Sequence, residues 1–373
     1  MTITEILAKI DLCFRKSIIS TNPYIASFFY SYSRKLFLKL LYSDVDFTKI
    51  DIPIKYQTKL LGLTFQSPIF NAAGIFKEVY GYEVAYRQGA GAFLIGTITP
   101  KPRKGNSKKA ILHPFIPLAS SNSAINWMGL PNVGFAEAAK RINTIEKRPR
   151  CPIGISISFQ PESEYPDSVN EIIDGFTLFQ SSQVDFIELN ESCPNVEHSH
   201  NIEKIGNLDK SLVDRLTELS ERFLKHRQRH LPIFVKFSTD TMPDQLPELI
   251  DLLMELGFDG INLGNTSTTY SEYLDAVNKK DRENFEYFTN TFGGGVSGKL
   301  IKSKSLSLSK VASEYIRQKN SSNEFIVIRT GGIESAEDIN LTLQSGIPLM
   351  NWFTGYFDQF SNYGHQVYSK LLS

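Results

Sequence analysis

Cysteine is scarce in this 373-residue chain, and its three cysteines show no paired spacing. The sequence therefore indicates no disulfide framework and fits a reducing compartment. Cys13 and Cys151 lie in an amphipathic stretch and beside Pro152, where we expect them to act as small apolar core residues. Neither sign of charge is in excess, because 40 Lys and Arg balance 40 Asp and Glu. A global basic surface that would recruit nucleic acid is thereby excluded.

Long apolar runs are also missing. Met1 is not followed by a compact apolar run with a small-residue cleavage site, so we expect no secretory signal. The uncharged stretch 17–33 is interrupted by Asn22-Pro23 and rich in hydroxyls, which argues against a membrane-spanning helix. Apolar residues recur at helical spacing on both sides of Asn22-Pro23, a pair typical of a helix start. Residues 1–42 are therefore predicted to form a helical hairpin, and residues 43–373 a second domain.

The predicted hairpin has a surplus of aromatic and basic side chains. Its basic residues are Lys9, Arg15, Lys16, Arg34, Lys35 and Lys39, against the acidic Glu5 and Asp11. This composition suits helices that lie in the interface of an anionic membrane. An ordinary hairpin that caps the second domain is the alternative interpretation.

Eight short apolar runs, separated by amphipathic segments, follow from about Ile54 onward. They lie near 68–71, 92–97, 152–158, 185–190, 232–237, 259–264, 325–330 and 349–353. This order predicts an α/β fold, a (β/α)8 or TIM barrel. Polar residues and glycines gather where the runs end, and in such a barrel these ends form the mouth, where active sites lie. Two long connections, roughly 98–132 and 266–298, are expected to cover the mouth.

Glycine clusters mark the ends of the last two runs. Thr330-Gly331-Gly332 and Phe353-Thr354-Gly355 lie where barrels commonly bind phosphate through backbone N–H groups, and the segment 293–298 adds further glycines. Simple turn geometry is the alternative for each cluster taken singly. Lys236 ends a buried run, so its charge needs a partner, and a reduced flavin ring is one candidate.

The segment 187–195 ends an apolar strand with two amides, Asn190 and Asn195, a proline-fixed turn and one thiol, Cys193. Such a strand end offers hydrogen bonds and a proton acceptor to a small polar substrate. A thiol with a pKa of about 8.5 is a few per cent ionised at neutral pH, so Cys193 is a candidate catalytic base. A buried structural thiol is the alternative.

Five motifs on different loops carry a resemblance to a known family. They are NESCPN at 190–195, INWMGLPN at 125–132, GNT at 264–266, GVSG at 295–298 and TGGI at 330–333. In this order, over residues 55–373, they resemble dihydroorotate dehydrogenase, the flavin enzyme of pyrimidine synthesis. The hairpin, the segment GTITPKPRKGN at 96–106 and AAGIFK at 72–77 are similar to the quinone-reducing, membrane-associated class 2 branch.

The resemblance implies oxidation of (S)-dihydroorotate to orotate, with FMN as hydride acceptor and quinone as final acceptor. It implies Cys193 as the base that takes the C5 proton. Substrate contacts are implied for Lys77, Asn126, Asn190, Asn195, Asn265 and Thr266. FMN contacts are implied for Ala72, Ala73, Gly74, Lys77, Thr97, Ser156, Asn190, Lys236, Gly264, Ser297, Gly298, Gly331, Gly332, Phe353, Thr354 and Gly355. FMN is expected instead of FAD because there is no dinucleotide-binding glycine turn.

The sequence departs from the class 2 pattern in several places. Cys193 stands where class 2 has serine and matches class 1, and His113 stands where class 2 usually has an arginine near the quinone tunnel. Ser156 and Gly264 replace other residues expected at the flavin. A soluble fumarate- or NAD-linked dihydroorotate or dihydropyrimidine dehydrogenase stays an alternative, as does a flavin-binding protein without turnover. We expect a peripheral protein on the cytoplasmic face of the cell membrane. No metal is expected, because His198 and His200 lack a third ligand at zinc spacing.

Overall fold

The computed structural model describes residues 1–191, 204–319 and 324–373. The chain begins with two helices, α1 (Ile3–Ile19) and α2 (Pro23–Tyr42). Asn22 caps α2 as predicted, because its side-chain oxygen accepts from the backbone N–H of Tyr24 at 2.9 Å. α1 starts with a capping box of Thr2 and Glu5 that was not anticipated. In the described part of the chain, no helix has both the length and the apolarity to cross a membrane.

Eight parallel strands form the centre of the fold, and each coincides with a predicted run. They are β1 (Ile69–Asn71), β2 (Phe93–Ile98), β3 (Ile153–Ile157), β4 (Phe186–Asn190), β5 (Ile233–Phe237), β6 (Gly260–Leu263), β7 (Ile326–Thr330) and β8 (Leu349–Trp352). Each strand pairs with the next in chain order from β2 to β8, and β8 pairs with β1. The predicted (β/α)8 barrel is therefore confirmed.

The gap between β1 and β2 is bridged by a side chain. Asn71 donates from Nδ2 to the carbonyl oxygen of Leu94 at 2.7 Å, and its Oδ1 accepts from the N–H of Leu94 at 3.2 Å. The amide of Asn71 thus links β1 to β2, which do not pair as strands.

Helices surround the strands in the alternation expected of this fold. They are α3 (Tyr82–Gln88), α4 (Phe135–Ile142), α5 (Asp167–Gln180), α6 (Lys210–Arg222), α7 (Leu246–Leu256), α8 (Arg282–Thr291), α9 (Lys302–Lys319), α10 (Ala336–Gln344), α11 (Thr354–Tyr363) and α12 (Val367–Leu371). Of these, α8 is an addition within the long connection after β6. Short antiparallel strand pairs lie outside the barrel: Thr58–Leu60 with Leu63–Phe65, Ser107–Lys108 with Ile111–Leu112, and Lys204–Ile205 with Leu208–Asp209.

The two long connections meet in one small sheet. Ser123–Asn126 lies between Phe115–Leu118 and Gly295–Gly298, and all pairings are antiparallel. We call these three strands the mouth sheet. A second hydrophobic cluster joins the mouth sheet to the hairpin through Ile19 and Tyr30. The connections that cover the barrel mouth therefore also carry the hairpin.

The hairpin packs on the barrel through apolar residues. This packing also places two of its charged side chains inside the protein. Phe37 of α2 contacts the ring of Phe360 at a centroid distance of 5.7 Å. Two of the six basic residues of the hairpin are held within the protein. Arg34 is only 8% exposed, and Arg15 forms ion pairs with Asp11 and Asp358.

Candidate active site

A polar network lies inside the barrel, below its mouth. The ammonium of Lys236 is 3.3 Å from Oε1 of Glu188, and each side chain is 3% exposed. Oε2 of Glu188 accepts from Nδ2 of Asn262 at 2.6 Å, and Thr330 donates to Oδ1 of Asn262 at 2.7 Å. The partner that Lys236 required is thus Glu188, which the sequence reasoning missed. The available signal was a carboxylate two residues before Asn190, on the same side of β4.

One cavity at the mouth collects most of the predicted site residues. Its walls include Ala72, Ala73, Gly74, Lys77, Thr97, Asn126, Asn190, Lys236, Asn265, Thr266, Ser297, Gly298, Gly331, Gly332, Phe353, Thr354 and Gly355. We call it the mouth cavity. Five further lining residues were not predicted as site residues: Met128, Leu130, Thr330, Ile333 and Trp352. Four of the five lie within the motifs at 125–132 and 330–333, and Trp352 precedes the predicted Phe353. All but Thr330 are apolar, so the polar pattern did not single them out.

Among the described residues, two predicted contact residues do not line this cavity. Ser156 is fully buried, and its Oγ is 2.9 Å from Oγ1 of Thr97. Its hydroxyl thus contacts Thr97, which lines the cavity, and a direct cofactor contact of Ser156 stays a prediction. Gly264 has φ +112°, and a Cβ there would lie 1.9 Å from the carbonyl oxygen of Thr330. Glycine is needed at 264 so that β6 and β7 can approach each other.

The other predictions in this region concern cysteines and the 190–195 motif. Cys193 and Asn195 lie outside the described residues, as do His198 and His200. Of the other cysteines, Cys151 is buried as expected, and burial raises the pKa of its thiol. Cys13 is exposed on α1, so the expectation of a core role for it is wrong.

Amide and hydroxyl groups from three connections converge on the mouth cavity. Asn190 ends β4, and its Nδ2 donates to Oγ1 of Thr97 at 3.1 Å. Asn265 donates to Oδ1 of Asn190 at 3.5 Å, and Asn126 comes from the mouth sheet. The hydroxyl of Thr266 is buried and has no partner among the described residues. Since an unpaired buried polar group costs about 1–3 kcal/mol, this arrangement fits a polar ligand.

The glycine-rich wall of the cavity fits a phosphate-bearing cofactor. Gly298, Gly331 and Gly332 have φ of +90°, +107° and +68°, which favour glycine. A Cβ on Gly332 would lie 2.3 Å from Cα of Lys302, and one on Gly355 would lie 2.0 Å from the carbonyl oxygen of Ile333. The backbone therefore lines the cavity without side chains at these points. Such bare N–H groups after the seventh and eighth strands are a common phosphate site in barrels.

A buried arginine supports this wall from behind and was not predicted. Arg329 on β7 is completely buried. It donates to Ser305 at 3.1 Å, to Thr342 at 2.6 Å and to the carbonyl oxygen of Gly331 at 3.5 Å. Burial lowers the pKa of Arg329 to about 10. Its contacts tie the Gly331 turn to α9 and α10.

The start of the connection after β4 is held by an ion pair. Glu191 accepts from Nη2 of Arg215 at 3.0 Å, and its side chain is 5% exposed. The guanidinium of Arg215 also lies over the ring of Phe159, 5.3 Å from its centroid. The ion pair thus anchors Glu191, and the contact with Phe159 holds its partner Arg215 in place.

Known proteins resemble this chain along most of its length. The sequence model of the dihydroorotate dehydrogenase family matches residues 55–372. The dihydroorotate dehydrogenase (quinone) of Christiangramia forsetii is 28% identical over 303 residues, which covers 81% of this chain and 80% of that protein. The enzyme of the same name from Arthrobacter sp. is 28% identical over 308 residues, with 80% of each chain covered.

Solved structures show the same fold. The DHODH of Eimeria tenella, crystallised with ferulenol, superposes with a TM-score of 0.71 at 21% identity and covers 91% of this chain and 89% of its own. Its ligand-free form gives a TM-score of 0.72 at 20% identity and covers 91% and 92%. The family match spans the whole barrel, including every strand whose end lines the mouth cavity. The chain therefore belongs to the dihydroorotate dehydrogenase family.

Proposed function

We propose that this protein oxidises (S)-dihydroorotate to orotate in pyrimidine synthesis, with FMN as the bound flavin and a quinone as final electron acceptor. Membership of the family supports an oxidoreductase with a flavin cofactor. The observation that carries the proposal is the mouth cavity, where a ring of amides meets a side-chain-free backbone wall. FMN is the flavin we propose, because the wall offers one phosphate site and no dinucleotide-binding turn.

The reaction removes a proton from C5 and a hydride from C6 of the substrate. The flavin supplies the hydride-accepting chemistry when it is bound. Overall, two electrons and two protons leave dihydroorotate and convert the quinone to its quinol, so charge and atoms balance. We assign the C5 proton to Cys193 as base. The substrate amides and carboxylate would be held by Lys77, Asn126, Asn190, Asn195, Asn265 and Thr266.

A second cavity supports the choice of quinone. It lies between α1, α2, α11 and the mouth sheet, measures about 290 Å³ and is lined largely by apolar residues such as Phe29, Phe37 and Phe357. We call it the hairpin cavity. A fumarate- or NAD-linked enzyme has no use for an apolar cavity of this kind, and turnover is expected of a family member, so the alternative functions are not favoured.

Exposed apolar stripes border the hairpin cavity and suggest how a quinone reaches it. At helical spacing they comprise Ile3, Leu7, Ile10 and Phe14 on α1, and Ile25, Phe29 and Leu36 on α2, each 38–61% exposed. Apolar faces of this kind insert into the headgroup region of a bilayer. We therefore propose that residues 1–42 form a membrane-associating unit on the catalytic domain 43–373. The protein would sit peripherally on the cytoplasmic face of the cell membrane.

Half-reactions test this proposal. Under anaerobic conditions dihydroorotate should bleach the yellow flavin, and decylubiquinone should restore its colour, whereas fumarate or NAD⁺ should not. Mass spectrometry of the released cofactor should show FMN. Failure of dihydroorotate to bleach the flavin would refute the substrate. Rapid turnover with fumarate and none with decylubiquinone would refute the acceptor.

A further inference from the structure

Arg34 lies in the middle of α2, among the residues that line the hairpin cavity. Its side chain is more than nine-tenths buried. Nη2 is 3.1 Å from the sulfur of Met128, and Cζ is 5.5 Å from the ring centroid of Phe115. The guanidinium is thus surrounded by weak acceptors.

The guanidinium of Arg34 has a hydrogen-bond donor with no acceptor among the described residues. Within the described ranges, nothing accepts from Nε of Arg34 and no carboxylate pairs with the side chain. Burial lowers the pKa of Arg34 to about 10, and only Tyr42 acts in the other direction. The group therefore remains charged at neutral pH. Arg15, in the same cavity, differs because Asp11 and Asp358 neutralise it. A buried charge without a partner is costly, so an oxygen atom of a ligand is the expected complement.

The position of Arg34 joins the two cavities. Met128, which it contacts, also lines the mouth cavity. Thr354 lines both cavities, and its hydroxyl is 2.9 Å from that of Ser297 in the mouth sheet. Arg34 therefore lies at the inner end of the hairpin cavity, one side chain away from the site assigned to the flavin.

Neighbouring basic groups do not supply the same interaction. Burial lowers the pKa of His113 to about 4, so its ring is neutral, and Nε2 donates to the carbonyl oxygen of Lys104 at 2.6 Å. Lys35 donates to the carbonyl oxygen of Leu112 at 3.1 Å. Neither residue lines the hairpin cavity.

We propose that Arg34 donates hydrogen bonds to a carbonyl oxygen of the quinone head group at the inner end of the hairpin cavity. This inference rests on the proposed function and adds the residue that selects and orients the acceptor. The apolar walls would take the ring and its alkyl tail. As two electrons and two protons convert the carbonyls to hydroxyls, the guanidinium stabilises negative charge on the oxygen and contributes neither protons nor electrons.

The test compares Arg34→Met and Arg34→Lys with Lys39→Met, a matched loss of charge at an exposed position on the same helix. Decylubiquinone is the acceptor, and ferricyanide serves as a soluble acceptor that bypasses the cavity. Arg34→Met should raise the KM for decylubiquinone about 10- to 100-fold, the effect of losing a charged hydrogen bond. Arg34→Lys should recover part of this loss, and Lys39→Met should match the wild type. Flavin reduction by dihydroorotate and turnover with ferricyanide should be unchanged in all variants.

The outcomes separate this inference from the proposed function. An Arg34→Met enzyme with the KM of Lys39→Met would overturn the role of Arg34 alone. Slower flavin reduction in Arg34→Met would overturn it too, because that result marks a structural role. A wild-type enzyme that is reduced by dihydroorotate but never oxidised by decylubiquinone would overturn the quinone assignment, and this inference with it.

Discussion

Lys236 and Arg34 are both buried cations, but they differ in whether the protein supplies a carboxylate as partner. Lys236 is neutralised within the protein by Glu188, which Asn262 also contacts. Arg34 has no such carboxylate among the described residues. Removing one partner of a buried ion pair is strongly destabilising, so Lys236 is tied to the integrity of the barrel. Arg34 is instead available to a ligand.

Cys193 is the residue whose proposed role is most directly testable. Cys193→Ala should slow flavin reduction by dihydroorotate about 10²- to 10⁴-fold, the usual contribution of a positioned general base. Cys193→Ser should retain a fraction of the activity, shifted toward higher pH, because a hydroxyl is a weaker acid than a thiol. Stopped-flow absorbance measures both rates.

Cys13→Ala is the matched control, because Cys13 is exposed on α1, away from the mouth cavity. It should reduce its flavin at the wild-type rate. If Cys193→Ala did the same, the base would have to be another group.

The glycine wall makes a prediction at the scale of the element. In Gly332→Ala the new Cβ would meet the backbone of Lys302 at 2.3 Å, and φ is +68°. The turn after β7 and the start of α9 must then separate, which disrupts the proposed phosphate site. We expect flavin affinity to fall at least about tenfold, since charge-assisted hydrogen bonds are worth about 1.5–3 kcal/mol each. Fluorescence titration of the apoprotein with FMN measures this.

Gly257→Ala is the control, because it introduces backbone strain at a positive φ without affecting the proposed phosphate site. Its φ is +83°, but no atom lies within 4 Å of the added Cβ. This variant should lose some stability and bind FMN like the wild type. Equal FMN affinity in Gly332→Ala and Gly257→Ala would contradict the proposed phosphate site.

The exposed apolar stripes of the hairpin predict where the proposed membrane contact would lie. Ile3 and Ile25 are 61% and 56% exposed, and neither lines the hairpin cavity. The double variant Ile3→Asp/Ile25→Asp should reduce binding to anionic liposomes by at least about tenfold, because each buried isoleucine contributes about 1.5–3 kcal/mol. Sedimentation with liposomes measures this, and turnover with decylubiquinone in detergent should persist.

Leu178 and Leu341 provide the control, since each is 37% exposed on a barrel helix. Leu178→Asp/Leu341→Asp should bind liposomes like the wild type. An equal loss in both double variants would place the membrane contact elsewhere or make it non-specific.

At the scale of the whole molecule, His365 joins the two ends of the chain. Its Nε2 is 3.3 Å from Oδ2 of Asp44, and its backbone N–H donates to Oε1 of Glu5 at 3.1 Å. The ring stacks on Phe47 with centroids 3.8 Å apart. The buried imidazole of His365 therefore helps to dock the hairpin and the linker after it on the C-terminal segment.

This docking should make stability depend on pH. Burial lowers the pKa of His365 below its ordinary 6.5, although Asp44 and Glu5 oppose the shift. Burial alone would raise the pKa of Asp44, but hydrogen bonds from Thr2, Thr4 and His365 outweigh it and hold that pKa below 3.8. In both cases the unfolded chain binds protons more readily. Stability is thus full above pH 6.5 and falls as the pH drops towards the folded-state pKa of each group.

We expect the free energy of unfolding to decrease between pH 7 and pH 5, measured by urea denaturation. His365→Gln should flatten this dependence without abolishing it, because the lowered pKa of His113 acts in the same direction. His226→Gln, at an exposed position, should keep the wild-type slope. An unaltered slope in His365→Gln would show that the docking imidazole does not control it.

Local sequence determined the strands, the capped start of α2 and the glycine wall. Strand patterning and turn conformation depend on neighbouring residues in the chain. The apolar runs, separated by amphipathic segments, therefore predicted the positions of all eight barrel strands. The barrel topology then brought most predicted site residues to one mouth, because the C-terminal ends of parallel strands meet there. The roles of Cys193 and Asn195 remain predictions.

Tertiary structure alone decided which groups become partners across the fold. The pairing of Lys236 with Glu188 requires β4 and β5 to be neighbours, and the closure by Asn71 requires β1 to meet β2. In the sequence Arg34 is one of six basic residues of the hairpin, and only packing against the mouth sheet buries it beside Phe115. The contact between the hydroxyls of Ser156 and Thr97 likewise requires β3 to lie beside β2. Burial and pairing are set by segments far apart in the chain, which no local pattern specifies.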